Sequence, residues 1–365
     1  MAKVLHIIAL LSCLFVGPAN ALPLDSLTLP PGFSISVYAK APGAREMAIA
    51  KNGIVYVGTR VDGNVYALIP NATRTAAKKV VTIASRLNQP NGVALRNGDL
   101  YVAEISRILR FPHIAEQLQK PKFELLKISL PSKEYHGWRY ISFGPDDRLY
   151  VAIGVPCNIC ISTNPLFGTI ISMRPDGSDL SVFAKGVRNS VGFAWNPSNK
   201  KFWFTDNGRD WLGDDLPPDE LNYAPQSGMD FGFPYFYSDN IQDPKYKKLQ
   251  KSSKGMTIPA MKLGAHVASL GMAFYTGNNF PAEYKGHIFV AQHGSWNRSK
   301  KVGYRVMLVT LKNNKPVAIR PFITGWLQKK NVWGRPVDVK VMADGSLLIS
   351  DDHAGVVYRV SYKSS

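Results

Sequence analysis

Acid is scarce in this chain. Its 365 residues carry 26 Asp and Glu against 44 Lys and Arg, a formal charge of +18. Cysteine is scarcer still, at three. The local signatures GxSxG, HExxH, P-loop and Rossmann GxGxxG are all missing. Their absence removes the sequence grounds for a serine hydrolase, a zincin, a P-loop nucleotidase or a nicotinamide dehydrogenase. Beyond the N-terminus no run of 18 apolar residues occurs, so no integral membrane helix is expected. The basic excess does not gather into runs with interleaved aromatics. Lys300-Lys301 and Lys329-Lys330 are isolated pairs, which argues against nucleic acid as a partner. An anionic cofactor, an acidic electron-transfer partner or an anionic cell surface suits the charge better.

A hydrophobic share of 45%, with 11% aromatics, is enough for a sizeable core. Thirty Gly and 25 Pro suit a turn-rich β architecture and leave little room for helix; residues 113–119 are the one short helical candidate. Residues 1–21 read as a signal peptide: Lys3, an apolar run over 4–16, then the small-x-small Ala19-Asn20-Ala21. The mature protein is then periplasmic or secreted and starts near Leu22, with charge +17 once Lys3 is gone. Leu11-Ser12-Cys13 also hints at lipid attachment, although apolar Leu14-Phe15-Val16 follows it. Cys157 and Cys160 remain. In an oxidising compartment they are expected to form a structural disulfide, with a redox role as the alternative. Haem attachment fails because Ile161 stands where His is required.

One pattern recurs six times: NGIVYVGT (52–59), NGDLYVAE (97–104), DDRLYVAI (146–153), NKKFWFTD (199–206), KGHIFVAQ (285–292) and DGSLLISD (344–351). Each copy has a turn, then aromatic and β-branched residues, and apolar segments flank most copies. The unit reads strand–turn–strand–loop–strand. From Tyr56 through Tyr101, Tyr150, Trp203 and Phe289 to Leu348 the steps are 45, 49, 53, 86 and 59 residues. Strand repeats at such spacing predict an all-β, six-bladed β-propeller. It would form a single domain over 22–365, with a long insertion at about 206–270. Phe33–Ala39 (FSISVYA) is positioned to supply the outer strand of the last blade and close the ring.

The scarce acid is concentrated at one place. Thr205–Asn222, TDNGRDWLGDDLPPDELN, holds six acids: Asp206, Asp210, Asp214, Asp215, Asp219 and Glu220. Such a stretch is either a solvated acidic turn or a site for a hard cation such as calcium. It is not an EF-hand loop, because Trp211 occupies the position that needs Gly. Propeller sites gather where blade ends meet the central channel, so polar residues flanking the repeats are candidates. His136, before the third repeat, is read as an exposed His of ordinary pKa that can act as general base, or as a loop His packed on Trp138. Arg188-Asn189 offers a cation and an amide for a carboxylate or sugar hydroxyls, or is a surface turn. His293-Gly294-Ser295-Trp296-Asn297-Arg298 combines a proton carrier, a stacking face and a cation. Trp333-Gly334-Arg335-Pro336 and Asp351-Asp352-His353 flank the last repeat.

HGWRYISFGPDDRLYVAIGVPCNIC, GVRNSVGFAWNP, the acidic stretch, AQHGSWNR and the Arg335 to Asp351 segment, in that order, resemble the soluble quinoprotein sugar dehydrogenases, within them the L-sorbosone and pyranose dehydrogenase branch. The resemblance runs from about Leu29 to Val360. It implies a six-bladed propeller that binds pyrroloquinoline quinone with calcium (Ca2+) and oxidises a sugar or sugar aldehyde by hydride transfer. The electrons would pass to an acceptor such as an acidic cytochrome or a quinone. It also implies roles: His136 as catalytic base; Arg188 and Asn189 at quinone and substrate; Gln89, His293, Trp296, Arg298 and Arg335 around the cofactor. Gly208 and Arg209 would hold calcium through backbone carbonyls, with Asp219 and Glu220 in the matching acidic segment. The chain departs from the glucose-oxidising branch at Arg209, Val337 and Phe231. A calcium-dependent lactone hydrolase and a non-catalytic sugar- or protein-binding propeller are the alternatives, since fold alone does not decide function.

Overall fold

The computed structural model describes residues 22–249 and 252–363. The signal-peptide reading of residues 1–21 lies outside these. Six sheets make six blades, all their pairings antiparallel except for the short strand Met229–Asp230, which adds parallel to the outer edge of the third. The first has Met47–Ile49, Val55–Gly58, Val65–Pro70 and Ala77–Ala84 in spatial order, and the second runs from Gly92–Arg96 to Glu124–Leu125. The third contains Ile141–Phe143, Leu149–Ile153, Thr169–Met173 and Ser181–Lys185. The fourth is Phe193–Trp195, Phe202–Asp206, Pro218–Ala224 and Met261–Ala265; the fifth spans Ser269–Phe274 to Lys315–Ile323. The sixth is Pro336–Val341, Leu347–Asp351, Val356–Tyr362 and, from the other end of the chain, Phe33–Lys40.

The first strand of each blade faces the channel, and the repeated motif is the second strand, buried at every position in each blade. That explains its near-continuous apolar character: it has a neighbouring strand on each edge and a neighbouring blade on each face. The outer strands lack this signal. Ala77–Ala84 and Lys315–Ile323 are exposed at half or more of their positions and do not carry the repeated motif. The stretch 206–270, read as an insertion, in fact contributes the third and fourth strands of the fourth blade, with the excursion lying between Ala224 and Met261. The helical candidate is one 3-10 turn, Ile114–Glu116.

Phe33–Lys40 pairs antiparallel with Val356–Tyr362 and closes the ring as expected. Phe33 adds an aromatic anchor, with its ring 4.7 Å from Phe280, 5.0 Å from Phe322 and Tyr362, and 5.2 Å from Tyr284. The inner strands pack so tightly that Gly is required between them. A Cβ on Gly192 would stand 2.2 Å from the Leu270 carbonyl of the next blade.

Candidate active site

At one end of the channel the loops entering the inner strands surround a cavity of about 690 Å³, within the range that holds a cofactor-sized ligand. Carboxylates at the ends of second strands set its walls. Asp206 accepts the backbone N–H groups of Arg188 and Asn189 at 2.8 and 2.6 Å. Asp351 accepts the N–H of Arg335 at 2.9 Å, and Glu104 accepts that of Asn88, next to Gln89. The last position of the repeat thus pins the loop that carries a cavity side chain. Burial raises Asp206 and Asp351 to about 6 each.

His136 lines this cavity but is buried, contrary to the exposed histidine of ordinary pKa expected from sequence. Its Nδ1 lies 3.0 Å from the Val155 carbonyl. A carbonyl only accepts, so Nδ1 carries the proton and Nε2 keeps its lone pair. Burial, then Arg188 and more weakly Arg60, hold its pKa well below 6.5, so the ring is neutral. Trp138 does pack against it, edge-on at 5.9 Å.

Arg188 is immobilised. Its Nε donates to the Asn158 carbonyl at 2.8 Å, and its terminal nitrogens reach Asn158 Oδ1 at 2.9 Å, the Asn207 carbonyl at 3.1 Å and Asp210 at 3.3 Å. Asn158 lies inside the four-residue loop closed by the Cys157–Cys160 disulfide. Across the cavity His293 meets Asp352 at 2.8 Å, and Arg45 meets the other oxygen of Asp352 at 2.6 Å. Burial outweighs the raising influence of Asp352 and puts His293 at about 4.

Asn189, Gln89, Gly208, Asp219, Trp296 and Arg335 also line the cavity. Three expected residues do not. Arg298 turns to the Asp214 and Ala265 carbonyls and to Asp215, because its loop folds back over the acidic stretch. Arg209 points into an adjoining crevice and pairs with buried Asp243 at 3.0 Å. Glu220 borders the same crevice, accepting from Ser238 N–H at 2.7 Å and Asn222 at 3.2 Å. The acids that remain are engaged in holding loops: Asp219 accepts Gly208 N–H at 3.0 Å and Ser269 N–H at 2.8 Å, and burial lifts it to about 7. Among the described residues no group of three or more His, Cys, Asp or Glu is arranged around a common metal position.

Sequence reasoning missed Arg45, Arg60 and the cavity role of Trp138. A signal existed for Arg60. It directly follows the first repeat, as Asn207 and His293 directly follow the fourth and fifth, and all three line the cavity. Arg60 lies over the Trp138 ring at 3.9 Å and donates to Gln89 at 3.2 Å. Arg335 donates to the His293 and Gly294 carbonyls at 3.0 and 2.8 Å. Among the described residues neither guanidinium forms an ion pair, unlike Arg45 and Arg188.

Residues 107–359 match the family model for glucose/sorbosone dehydrogenase. The chain belongs to that family. An uncharacterized protein of Borreliella burgdorferi is 34% identical over 358 residues, covering 93% of this chain and 92% of that protein. Among solved structures, the holo form of the pyranose dehydrogenase PQQ domain from Coprinopsis cinerea superposes with a TM-score of 0.79 at 17% identity, covering 94% of this chain and 99% of that one. A calcium structure of the Trichoderma reesei carbohydrate-active enzyme family AA12 gives the same values. The PQQ-bound aldose sugar dehydrogenase of Streptomyces coelicolor gives 0.64 at 19% identity, covering 92% and 100%. These likenesses establish the propeller fold, and the family match places the chain among the sugar dehydrogenases.

Proposed function

We propose that this glucose/sorbosone dehydrogenase family member oxidises a sugar or sugar aldehyde with pyrroloquinoline quinone and calcium, after export from the cytoplasm. The observation that carries the reading is one cavity bordered by a neutral His136 and by two guanidiniums, Arg60 and Arg335, with no ion-pair partner among the described residues. An unpaired, part-buried cation calls for an anion, and the cofactor's carboxylates supply that charge. Similarity to a PQQ-bound aldose sugar dehydrogenase and to a holo pyranose dehydrogenase PQQ domain supports the choice of cofactor.

The residues present fit the group. Arg60 and Arg335 would hold its carboxylates, and Trp138 would flank it. Calcium would sit at Gly208, whose N–H is tied to Asp219, so that its loop is fixed while the nearby acids supply negative potential. When bound, the cofactor supplies a two-electron acceptor that calcium polarises. The protein's own part is proton handling and orientation. His136 Nε2 accepts the substrate hydroxyl proton, Val155 holds the ring in the required tautomer, and Asn189 offers an amide to sugar hydroxyls.

The test is dye reduction by the purified protein supplied with pyrroloquinoline quinone and calcium, over a panel of aldoses and sugar aldehydes. Turnover that a chelator abolishes is expected. His136→Ala should lose about 10²–10⁴-fold in kcat with cofactor affinity retained. Lactone cleavage without the quinone, or ligand binding with no turnover, would overturn the assignment.

A further inference from the structure

We propose that the cavity rim beside Trp296 is a docking surface for an acidic, one-electron redox protein that takes electrons from the site. This rests on the dehydrogenase reading above. Oxidising one alcohol or hydrated aldehyde carbon releases two electrons and two protons. The protons pass to water, and two molecules of a ferric haem protein each take one electron and become ferrous. Such an acceptor has to approach the cavity mouth, where Trp296 lines the cavity and is 65% exposed.

Two lysine pairs that stand apart in sequence meet on the loops that lead from Trp296 and toward Arg335. Lys301 Nζ donates to the Lys330 carbonyl at 2.9 Å, and Lys300, Lys301, Lys329 and Lys330 are all exposed. Lys300 and Lys301 follow the cavity-lining Trp296 by four and five positions, and Lys329 and Lys330 precede the cavity-lining Arg335 by six and five. The fold therefore makes one basic patch out of charges that looked isolated. Beside it, Trp211 packs edge-on against Trp296 with ring centroids 5.5 Å apart, and it too is 65% exposed. Trp211 stands in a left-handed backbone conformation, φ 69°, a conformation uncommon for a bulky side chain.

Arg298 joins the two loops through the Asp214 carbonyl and Asp215, and Ser299 caps Asp214. Five cations, Arg298 and the four lysines, thus stand near Asp214 and Asp215, next to a cavity that Glu134 and Asp210 also line. Exposed paired tryptophans beside a cluster of exposed lysines are the composition of an interface: aromatic anchors at the centre and charge that steers the encounter. The sign of the patch and the overall charge of +18 select an acidic partner. A saccharide platform would use the same tryptophans but has no need of four lysines.

The test compares the protein with its K300E/K301E/K329E/K330E variant, both loaded with quinone and calcium, using an acidic monohaem cytochrome c as acceptor. At low ionic strength the variant should reduce it about 10–100-fold more slowly and lose the steep salt dependence, while dye reduction stays unchanged. Trp211→Ala should slow cytochrome reduction at both low and high salt. In the cofactor-free protein, binding of oxidised acidic cytochrome, measured by sedimentation, should be lost in the lysine variant. Equal cytochrome rates in protein and variant would overturn the docking surface, as would equal rates with a basic cytochrome c. So would a Trp211→Ala effect confined to KM for an oligosaccharide. Absence of dye turnover in the unmodified protein would instead overturn the dehydrogenase reading, and the binding arm would still decide the surface.

Discussion

At the residue scale, the decisive feature is how His136 is kept neutral and in place. Gly154 leaves the space for it: a Cβ there would lie 2.6 Å from His136 Cβ and 3.2 Å from Asn189 Oδ1. Gly154→Ala should therefore lower kcat by at least about tenfold, since a displacement near 1 Å is that costly to a positioned base, while cofactor affinity stays close to normal. Its folded-state pKa is depressed below 6.5, so the ring stays deprotonated well into acid. The acid limb of kcat/KM should fall well below pH 6.5 and disappear in the His136 variant; a limb at 6.5 would contradict the buried environment. The same shift affects stability. Below pH 6.5 the unfolded chain takes up a proton that the folded chain refuses, so the contribution of this group is lost as pH falls through that window. The cavity side chains that were legible in sequence, among them His136, Arg188, Asn189, His293 and Arg335, stand on loops that flank the repeats. The burial of His136 was not, because it depends on Val155 and Gly154 from the other end of the same blade's second strand.

At the element scale, the blades repeat a device as well as a shape. The carboxylate ending a second strand grips the loop ahead of the same blade's first strand, as Asp206 does for Arg188 and Asp351 does for Arg335. The disulfide loop does related work from the third blade, because Asn158 holds the Arg188 side chain and the Asp210 backbone together. Replacing both cysteines by serine should weaken cofactor binding about tenfold, the scale of about one charged hydrogen bond. Isothermal titration of the two proteins would measure this. Unchanged affinity would show that Asn158 is held without the bridge. Second strands stood out in sequence because burial on every side makes them apolar throughout. Apart from the closing strand at Phe33–Lys40, the outer strands did not, because each has a solvent edge, is exposed at many positions and carries no repeat.

At the scale of the whole molecule, six blades and their closure were readable from repeat spacing and from one N-terminal strand-like segment. The path between Ala224 and Met261 was not, since it carries no repeat. The closing strand depends on Phe33, which is ringed by four aromatic side chains. Phe33→Ala should cost about 2–4 kcal/mol and appear as a lowered melting temperature, with the aromatic near-UV signal lost in the same transition. A second, separate transition would mean that the last blade holds without its outer strand. The first and last strands of the propeller pair with each other, more than 300 residues apart. A chain still being synthesised therefore has no finished pocket and carries a bare strand edge at its leading end. Loading with any small molecule has to wait until the strand Val356–Tyr362 has been made. Stops before Val356 would leave the closing strand unpaired and yield an aggregation-prone open arc instead of a weaker version of the same protein.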